Sequence, residues 1–167
     1  MTINFSTISG IFSEFLEDPK KDVDYRGELQ RLIYLSIKTN KILWDFEDSA
    51  RLIDLGDHHV AEAKRSIDIN NQLRNNLIKE IDVELYKDLN VVPGSPDKFY
   101  SESPGMIIDR IAIFYIKLSV IKELLSIIKE DYLKREYEQK ENIILGQINS
   151  IGNFLDIYFS KLTSKDM

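Results

Sequence analysis

Glycine and proline, the residues that most often interrupt regular structure, are scarce in this chain. Its 167 residues include only 7 Gly and 4 Pro, which leaves long stretches without either. In those stretches the apolar residues recur every three or four positions, and no stretch of any length alternates as a half-buried strand does. The sequence therefore predicts an all-α fold in which most glycines and prolines mark the ends of helices.

A short amphipathic helix is predicted at the start of the chain. Its apolar face consists of Phe5, Ile8, Phe12 and Phe15. Pro19 ends this helix, because the residue before a proline disfavours helical backbone. Residues 20–24 form a charged link to the rest of the chain.

Two long helices are predicted next, over residues 25–55 and 58–89. Gly56 is interpreted as the C-terminal stop of the first helix and Asp57 as the N-cap of the second. A polar, proline-rich loop is predicted over residues 90–102.

A third helix begins at Ser103-Pro104, with serine as N-cap and proline at the first helical position. We place the turn to a fourth helix near residues 131–135, although no glycine or proline marks it. The alternative is one helix from Pro104 to Leu162, which would be about 88 Å long at 1.5 Å per residue.

The third helix is apolar on two sides. Its second face holds Ile113, Ile116, Val120 and Ile127. Such a helix is either buried centrally or shared with a second chain. We therefore expect an antiparallel four-helix bundle with a short N-terminal helix, and a homodimer through this second face. The whole chain, 1–167, is expected to form one domain, with 1–24 as N-terminal helix and link and 25–162 as the bundle.

Composition narrows the classes of function. The net charge is −6, from 22 basic and 28 acidic residues, which disfavours nucleic-acid binding. There is no cysteine and there are two histidines, so we expect no metal and no cofactor. No apolar run is long enough to span a membrane and no signal-peptide pattern is present, so a cytoplasmic protein is expected.

Two of the apolar helix faces carry polar residues. At about 100° per residue, the face of Ile33 and Ile37 continues through Trp44 into acidic and basic side chains. A second polar group interrupts the face of Ile67 and Ile78 on the next helix. The candidate binding residues are Glu47, Asp48, Arg51, Lys64, Asp68, Asn71 and Arg74. Because an unpaired buried charge is costly, these groups must pair, meet water or hold a ligand.

Two interpretations of this cluster remain open. In the first, Arg51 and Arg74 pair with Glu47, Asp48 or Asp68 in a structural network between the two helices. In the second, the two arginines, with the asparagine and lysine of the set, line an interhelical pocket and hold an anionic small molecule.

Three ordered stretches carry a family resemblance. They are Trp44-x-x-Glu47-Asp48-x-x-Arg51; Lys64-Arg65-x-Ile67-Asp68-x-x-Asn71-Gln72-x-Arg74 followed by Ile81-Asp82; and Glu102-Ser103-Pro104 with Ile108-Asp109-Arg110-Ile111 and Lys117. In this order and spacing they resemble the bacterial domain-of-unknown-function family four-two-five-four. The resemblance adds a loop–helix motif of Ser103, Pro104, Asp109 and Arg110 to the candidate residues. It implies an uncharacterised helical protein, often encoded near surface-polysaccharide genes, with no known catalytic residues.

The chain departs from the family pattern at three positions. Asp45 follows the tryptophan where the family often has histidine, and Asn76 and Lys79 stand where acidic residues are expected. Any chemistry that those groups perform in the family would be missing in this chain.

Three functions are carried forward. The first is a non-catalytic accessory or binding protein with a protein partner, linked to surface-glycan assembly by the resemblance. The second is an enzyme acting on a phosphorylated or nucleotide-sugar substrate, with Glu47 or Asp48 as general base. The third is a structural oligomerisation module.

Overall fold

The computed structural model describes residues 3–21, 23–92 and 101–163. These residues form helices and connecting turns, and no strand occurs among them. The elements are α1 (Phe5–Glu17), α2 (Glu28–Ala50), a 3₁₀ turn (Ile53–Leu55), α3 (Asp57–Asp88), α4 (Pro104–Ile127) and α5 (Asp131–Thr163). The all-α prediction is therefore confirmed. Most of the predicted 90–102 loop, namely residues 93–100, lies outside the described residues.

Helices α2 and α3 form an antiparallel hairpin. Near the connection between them, His59 Nε2 lies 3.0 Å from Ser49 Oγ and 3.1 Å from the Ser49 carbonyl oxygen. At the opposite end of the pair, the pKa of Glu28 in α2 is lowered mainly by its hydrogen bond from Arg31, and the charge of Lys87 in α3 adds to this lowering. Helices α4 and α5 form a second hairpin, which is joined over residues 128–130.

The short helix α1 belongs to the main core. Ile8 and Phe12 are completely buried, as are Ile37 of α2, Ile81 of α3 and Leu155 of α5. The start of α1 is also attached to α5, because the Phe5 N–H donates to Asp156 Oδ1 at 2.7 Å. The predicted end of this helix before Pro19 is confirmed.

The bounds of α2 correct the expectation of a helix over 25–55. Gly27 is the N-cap, and the helix ends at Ala50 because Leu52 and Ile53 beyond it are 54% and 72% exposed and have no core to pack against. The chain then forms the 3₁₀ turn. Gly56 follows with φ of +90°, a backbone conformation that glycine adopts without strain.

Asp57 is the first residue of α3, and its predicted role as N-cap was wrong, because Gly56 occupies that position.

The turn before α5 lies at 128–130, and its predicted place at 131–135 was wrong by three residues. Ile128 is extended (ψ 129°) and ends α4. The Glu130 carbonyl oxygen then accepts the first helical hydrogen bond of α5, from the Lys134 N–H at 2.9 Å. One continuous helix from 104 to 162 does not form.

The predicted start of α4 is confirmed. The Ser103 hydroxyl caps the helix by accepting from the Met106 N–H at 3.3 Å, and Pro104 occupies the first turn. Asp82 of α3 adds a second cap, because its carboxylate accepts the Gly105 N–H at 2.6 Å. Two helices are therefore joined end to side by a carboxylate and one backbone donor.

The second apolar face of α4 is only partly covered. Ile116 is buried, Ile113 and Val120 are half-buried, and Ile127 is 69% exposed. The homodimer through this face stays a prediction. In the described part of the chain, no helix is long and apolar enough to cross a membrane.

Gly105→Ala should destabilise the protein by about 1–3 kcal/mol, because a close-packed contact does not accept an added methyl group. A Cβ at this position would lie 2.4 Å from the Ile78 carbonyl oxygen and 2.9 Å from Asp82 Oδ1. Urea unfolding measures the loss. The control is Gly146→Ala in α5, where no described atom lies within 4 Å of the added Cβ. That control should gain about 0.5–1 kcal/mol from reduced backbone entropy. Equal effects at both glycines would contradict the close approach.

Asp82 should make the free energy of unfolding depend on pH. Burial raises the pKa of this carboxyl above its ordinary 3.8, against the lowering effect of hydrogen bonds from Ser103 and Gly105. Because the pKa is raised in the folded state, the contribution of Asp82 to the free energy of unfolding is fully present below about pH 3.8. This contribution is lost as the pH rises through the folded-state pKa. The stability of the wild type relative to Asp82→Asn should therefore fall from pH 4 to pH 7 in urea titrations. A difference that grows with pH would overturn this assignment.

Candidate functional site

A pocket of about 220 Å³ lies where α2, α3 and α4 meet. Its lining residues are Asn40, Leu43, Trp44, Glu47, Asp48, Arg51, Asn71, Arg74 and Ile113. The pocket therefore brings together five of the seven polar residues that the sequence placed in the cluster. Asn40, Leu43 and Trp44 of α2 and Ile113 of α4 complete the lining.

The most buried charged group beside the pocket is the carboxylate of Asp109. Only 5% of its side chain is exposed, and Arg74 holds it from α3. The Arg74 Nε donates to both carboxylate oxygens, at 2.9 and 3.0 Å, and Nη2 donates to Oδ2. This contact raises the pKa of Arg74, whose charge is thereby fixed at the pocket wall. The predicted pairing of Arg74 with Glu47, Asp48 or Asp68 was wrong.

Asn40 connects α2 to the same carboxylate. Its Nδ2 donates to Asp109 Oδ1 at 2.8 Å and to the Ser36 carbonyl oxygen at 3.0 Å. Both of these partners can only accept, so both amide hydrogens are used and Oδ1 is the group that Asn40 has left to offer. No sealed side-chain oxygen or nitrogen in the described residues lacks a partner. Oδ1 therefore keeps some accessible surface, and Asn40 is one of the residues that line this pocket.

The outer rim of the pocket is more exposed. Arg51 Nη1 lies 3.1 Å from Asp48 Oδ1, with the two side chains 76% and 57% exposed, so the pair contributes about 0–1 kcal/mol to stability. Glu47 is exposed and forms no ion pair within the described residues. Of the arginine–carboxylate pairs at this site, only the Arg74 pair is buried.

Two of the predicted cluster residues lie elsewhere. Lys64 and Asp68 are exposed on α3 and do not line the pocket. At that level α3 buries Ala63 and Ile67, and the two charged side chains beside them face water. The structural-network interpretation included Asp68 and the ligand interpretation included Lys64, and the fold does not bring either residue to the other five.

The loop–helix motif has mainly structural roles. Ser103 caps α4, Pro104 is buried in its first turn, and Arg110 is exposed and pairs with Glu102. Asp109 is the exception, because it supports the pocket through Arg74. Its neighbours in sequence could have indicated this role: a carboxylate next to the buried Ile108 lies on an otherwise apolar face and needs a partner.

The formal charges at the pocket do not balance. Three carboxylates (Glu47, Asp48 and Asp109) meet two guanidinium groups (Arg51 and Arg74), which leaves one surplus negative charge. Each arginine is already held by a carboxylate, so the unpaired charge is that of Glu47.

A metal centre is not formed by the described residues: no three His, Cys, Asp or Glu side chains among them are grouped as ligands. The pocket lining offers carboxylates, amides, guanidinium groups and one indole ring. These groups suit the recognition of a small polar molecule by hydrogen bonds.

Fold and pocket together define an all-α protein with a cavity between its helices that is lined by both polar and apolar side chains. The chain belongs to the family described as Protein of unknown function (DUF4254), whose model matches residues 30–163. The match covers the whole pocket and leaves out α1. No curated protein and no solved structure shows a significant match to the chain.

Asp109→Ala should lower the free energy of unfolding by about 3–5 kcal/mol, because the half-buried Arg74 and an amide hydrogen of Asn40 both lose their acceptor. Urea unfolding monitored by circular dichroism measures the loss. The matched control is Glu102→Ala, which removes the half-buried partner of Arg110, an exposed residue of the same helix as Asp109, and should cost no more than about 1 kcal/mol. Similar losses in both variants would mean that the buried pair is not what joins the helices.

Proposed function

We propose that this chain is a non-catalytic binding protein whose ligand is a small polar molecule in the pocket between α2, α3 and α4. The observation that carries the proposal is that Arg74 and Asn40 are held in place by hydrogen bonds to Asp109. Both residues also line the open cavity. Polar groups that are held in place before a ligand arrives lose little entropy on binding, and this favours recognition.

The size of the cavity limits the ligand. About 220 Å³ is below the roughly 300–1,000 Å³ of sites that enclose drug-sized molecules. A molecule of the size of a monosaccharide or an amino acid suits this volume. A larger ligand such as a nucleotide sugar would place only one end inside.

The lining favours binding over catalysis. Its side chains include no serine, threonine, cysteine or histidine, so the usual nucleophiles and the commonest general base are not among them. One of its two exposed carboxylates, Asp48, is paired with Arg51. A role in surface-glycan assembly is part of this proposal and rests on the family resemblance.

Trp44 allows the proposal to be tested directly. It is the one tryptophan in the sequence and it lines the pocket, so its fluorescence reports on this site. The protein is titrated with monosaccharides, sugar phosphates, amino sugars, nucleotide sugars and amino acids. Emission and melting temperature are recorded together.

A ligand at 100 times its Kd should add about 2.7 kcal/mol, which is roughly 5–11 °C in melting temperature for a chain of this size. Arg51→Ala should change the binding of that ligand, weakening that of an anion and strengthening that of a cation because Asp48 loses its partner, and it should leave the fold intact because the Arg51–Asp48 pair is on the surface.

The matched control is Arg31→Ala, which removes another exposed i,i+3 pair of α2, with Glu28, outside the pocket. It should bind as the wild type does. A ligand that stabilises the protein without changing the Trp44 emission, or whose binding Arg31→Ala changes as much as Arg51→Ala does, would place the binding site elsewhere and count against the proposal.

A further inference from the structure

The hydrogen-bond acceptors of the pocket are concentrated around Trp44. Asn40 lies four residues before it on α2, and Glu47 and Asp48 lie three and four residues after it. Residues at these spacings are neighbours on a helix surface, about 5–6 Å apart at Cβ. An indole ring therefore has an acceptor one turn away on each side.

Each of these acceptors can still accept a hydrogen bond. Both amide hydrogens of Asn40 already donate to protein acceptors, so its Oδ1 is the group without a hydrogen bond from the described residues. Glu47 has no ion-pair partner within the described residues, and Asp48 has only the exposed Arg51. Among them, Asn40 is 5% exposed, so its free oxygen is part of the cavity wall and not of the outer surface.

The arginines are less available to an anion than their number indicates. Asp109 compensates the charge of Arg74 through Nε and Nη2, and Asp48 compensates that of Arg51. The pocket keeps one surplus negative charge, and the chain as a whole carries −6. An acidic ligand would add to that surplus, whereas a cation would neutralise it.

We infer that the ligand carries a protonated amine, which lies against Trp44 and donates to Glu47 and Asp48, while a second donor of the ligand reaches Asn40 Oδ1. The inference rests on the proposed binding function and names the chemical class of its ligand. Tryptophan is the aromatic side chain that attracts a cation most strongly, and carboxylates form the strongest hydrogen bonds to an ammonium group. The ligand interpretation drawn from the sequence named an anion, because the sequence did not show that Asp109 pairs with Arg74.

Three hexoses that differ in one substituent test this inference. Glucosamine, glucose and glucose 6-phosphate present an ammonium, a hydroxyl and a phosphate on the same ring. Binding is followed by Trp44 emission at about pH 6, where an amine is protonated, in a buffer free of phosphate and other amines. Putrescine, a diamine without a ring, shows whether the amine suffices without the sugar.

The expected result is that glucosamine binds at least about tenfold more tightly than glucose, and that glucose 6-phosphate binds more weakly than either. Added salt should weaken the binding of the amine, as screening does for an exposed ion pair. Glu47→Gln should bring glucosamine close to glucose, and it should fold normally because Glu47 is exposed and unpaired. Binding of putrescine would also support the inference.

Asp68→Asn is the control for Glu47→Gln, because it removes an exposed carboxylate of α3 that does not line the pocket. It should leave the preference for the amine unchanged. Tighter binding of glucose or glucose 6-phosphate than of both amines would overturn the inference while leaving the binding function standing. If none of the four probes or the wider ligand set changed the emission, the binding function would fail with it.

Discussion

The carboxylate of Asp109 is the point at which three helices of this protein are joined. It lies on α4, receives a bidentate contact from Arg74 of α3 and accepts the amide of Asn40 from α2. A buried carboxylate without partners would be costly, so the helices can approach only in the arrangement that supplies both donors. That arrangement leaves the open side of the arginine and asparagine in contact with a cavity. The same contact that holds the helices together therefore also forms the wall of the candidate site.

The register of α4 against α3 depends on a second contact one turn earlier on α4. Gly105 brings the two backbones so close that a single methyl group would overlap the Ile78 carbonyl oxygen, and Asp82 accepts the first-turn N–H of the glycine, which has no partner within its own helix. With this point fixed, Asp109 arrives one turn later beside Arg74. The Ser103-Pro104 start of the helix thus matters to the site only indirectly, because it sets where α4 begins.

Much of the pocket could be predicted from helical periodicity. Glu47, Asp48 and Arg51 interrupt one apolar face, Asn71 and Arg74 interrupt another, and all five line the cavity. The same reasoning included Lys64 and Asp68, which are exposed instead. Periodicity shows on which side of a helix a residue lies. It does not show at which level along the helix a third helix packs, and this is why only part of the polar face on α3 became part of the site.

The sequence by itself determined the helices, the start of α4 at Ser103-Pro104 and the polar faces, because these depend on residues within a turn or two of each other. Tertiary structure decided which carboxylate Arg74 meets. Asp109 is 35 residues away in the chain, and its place on an apolar face shows that it needs a partner but not which arginine supplies one. Helix packing also decided the charge balance of the pocket, because it pairs each arginine with a carboxylate and leaves Glu47 without a cationic partner among the described residues. The end of α2 and the start of α5 were decided in the same way, since these boundaries carry no glycine or proline and depend on where the core stops.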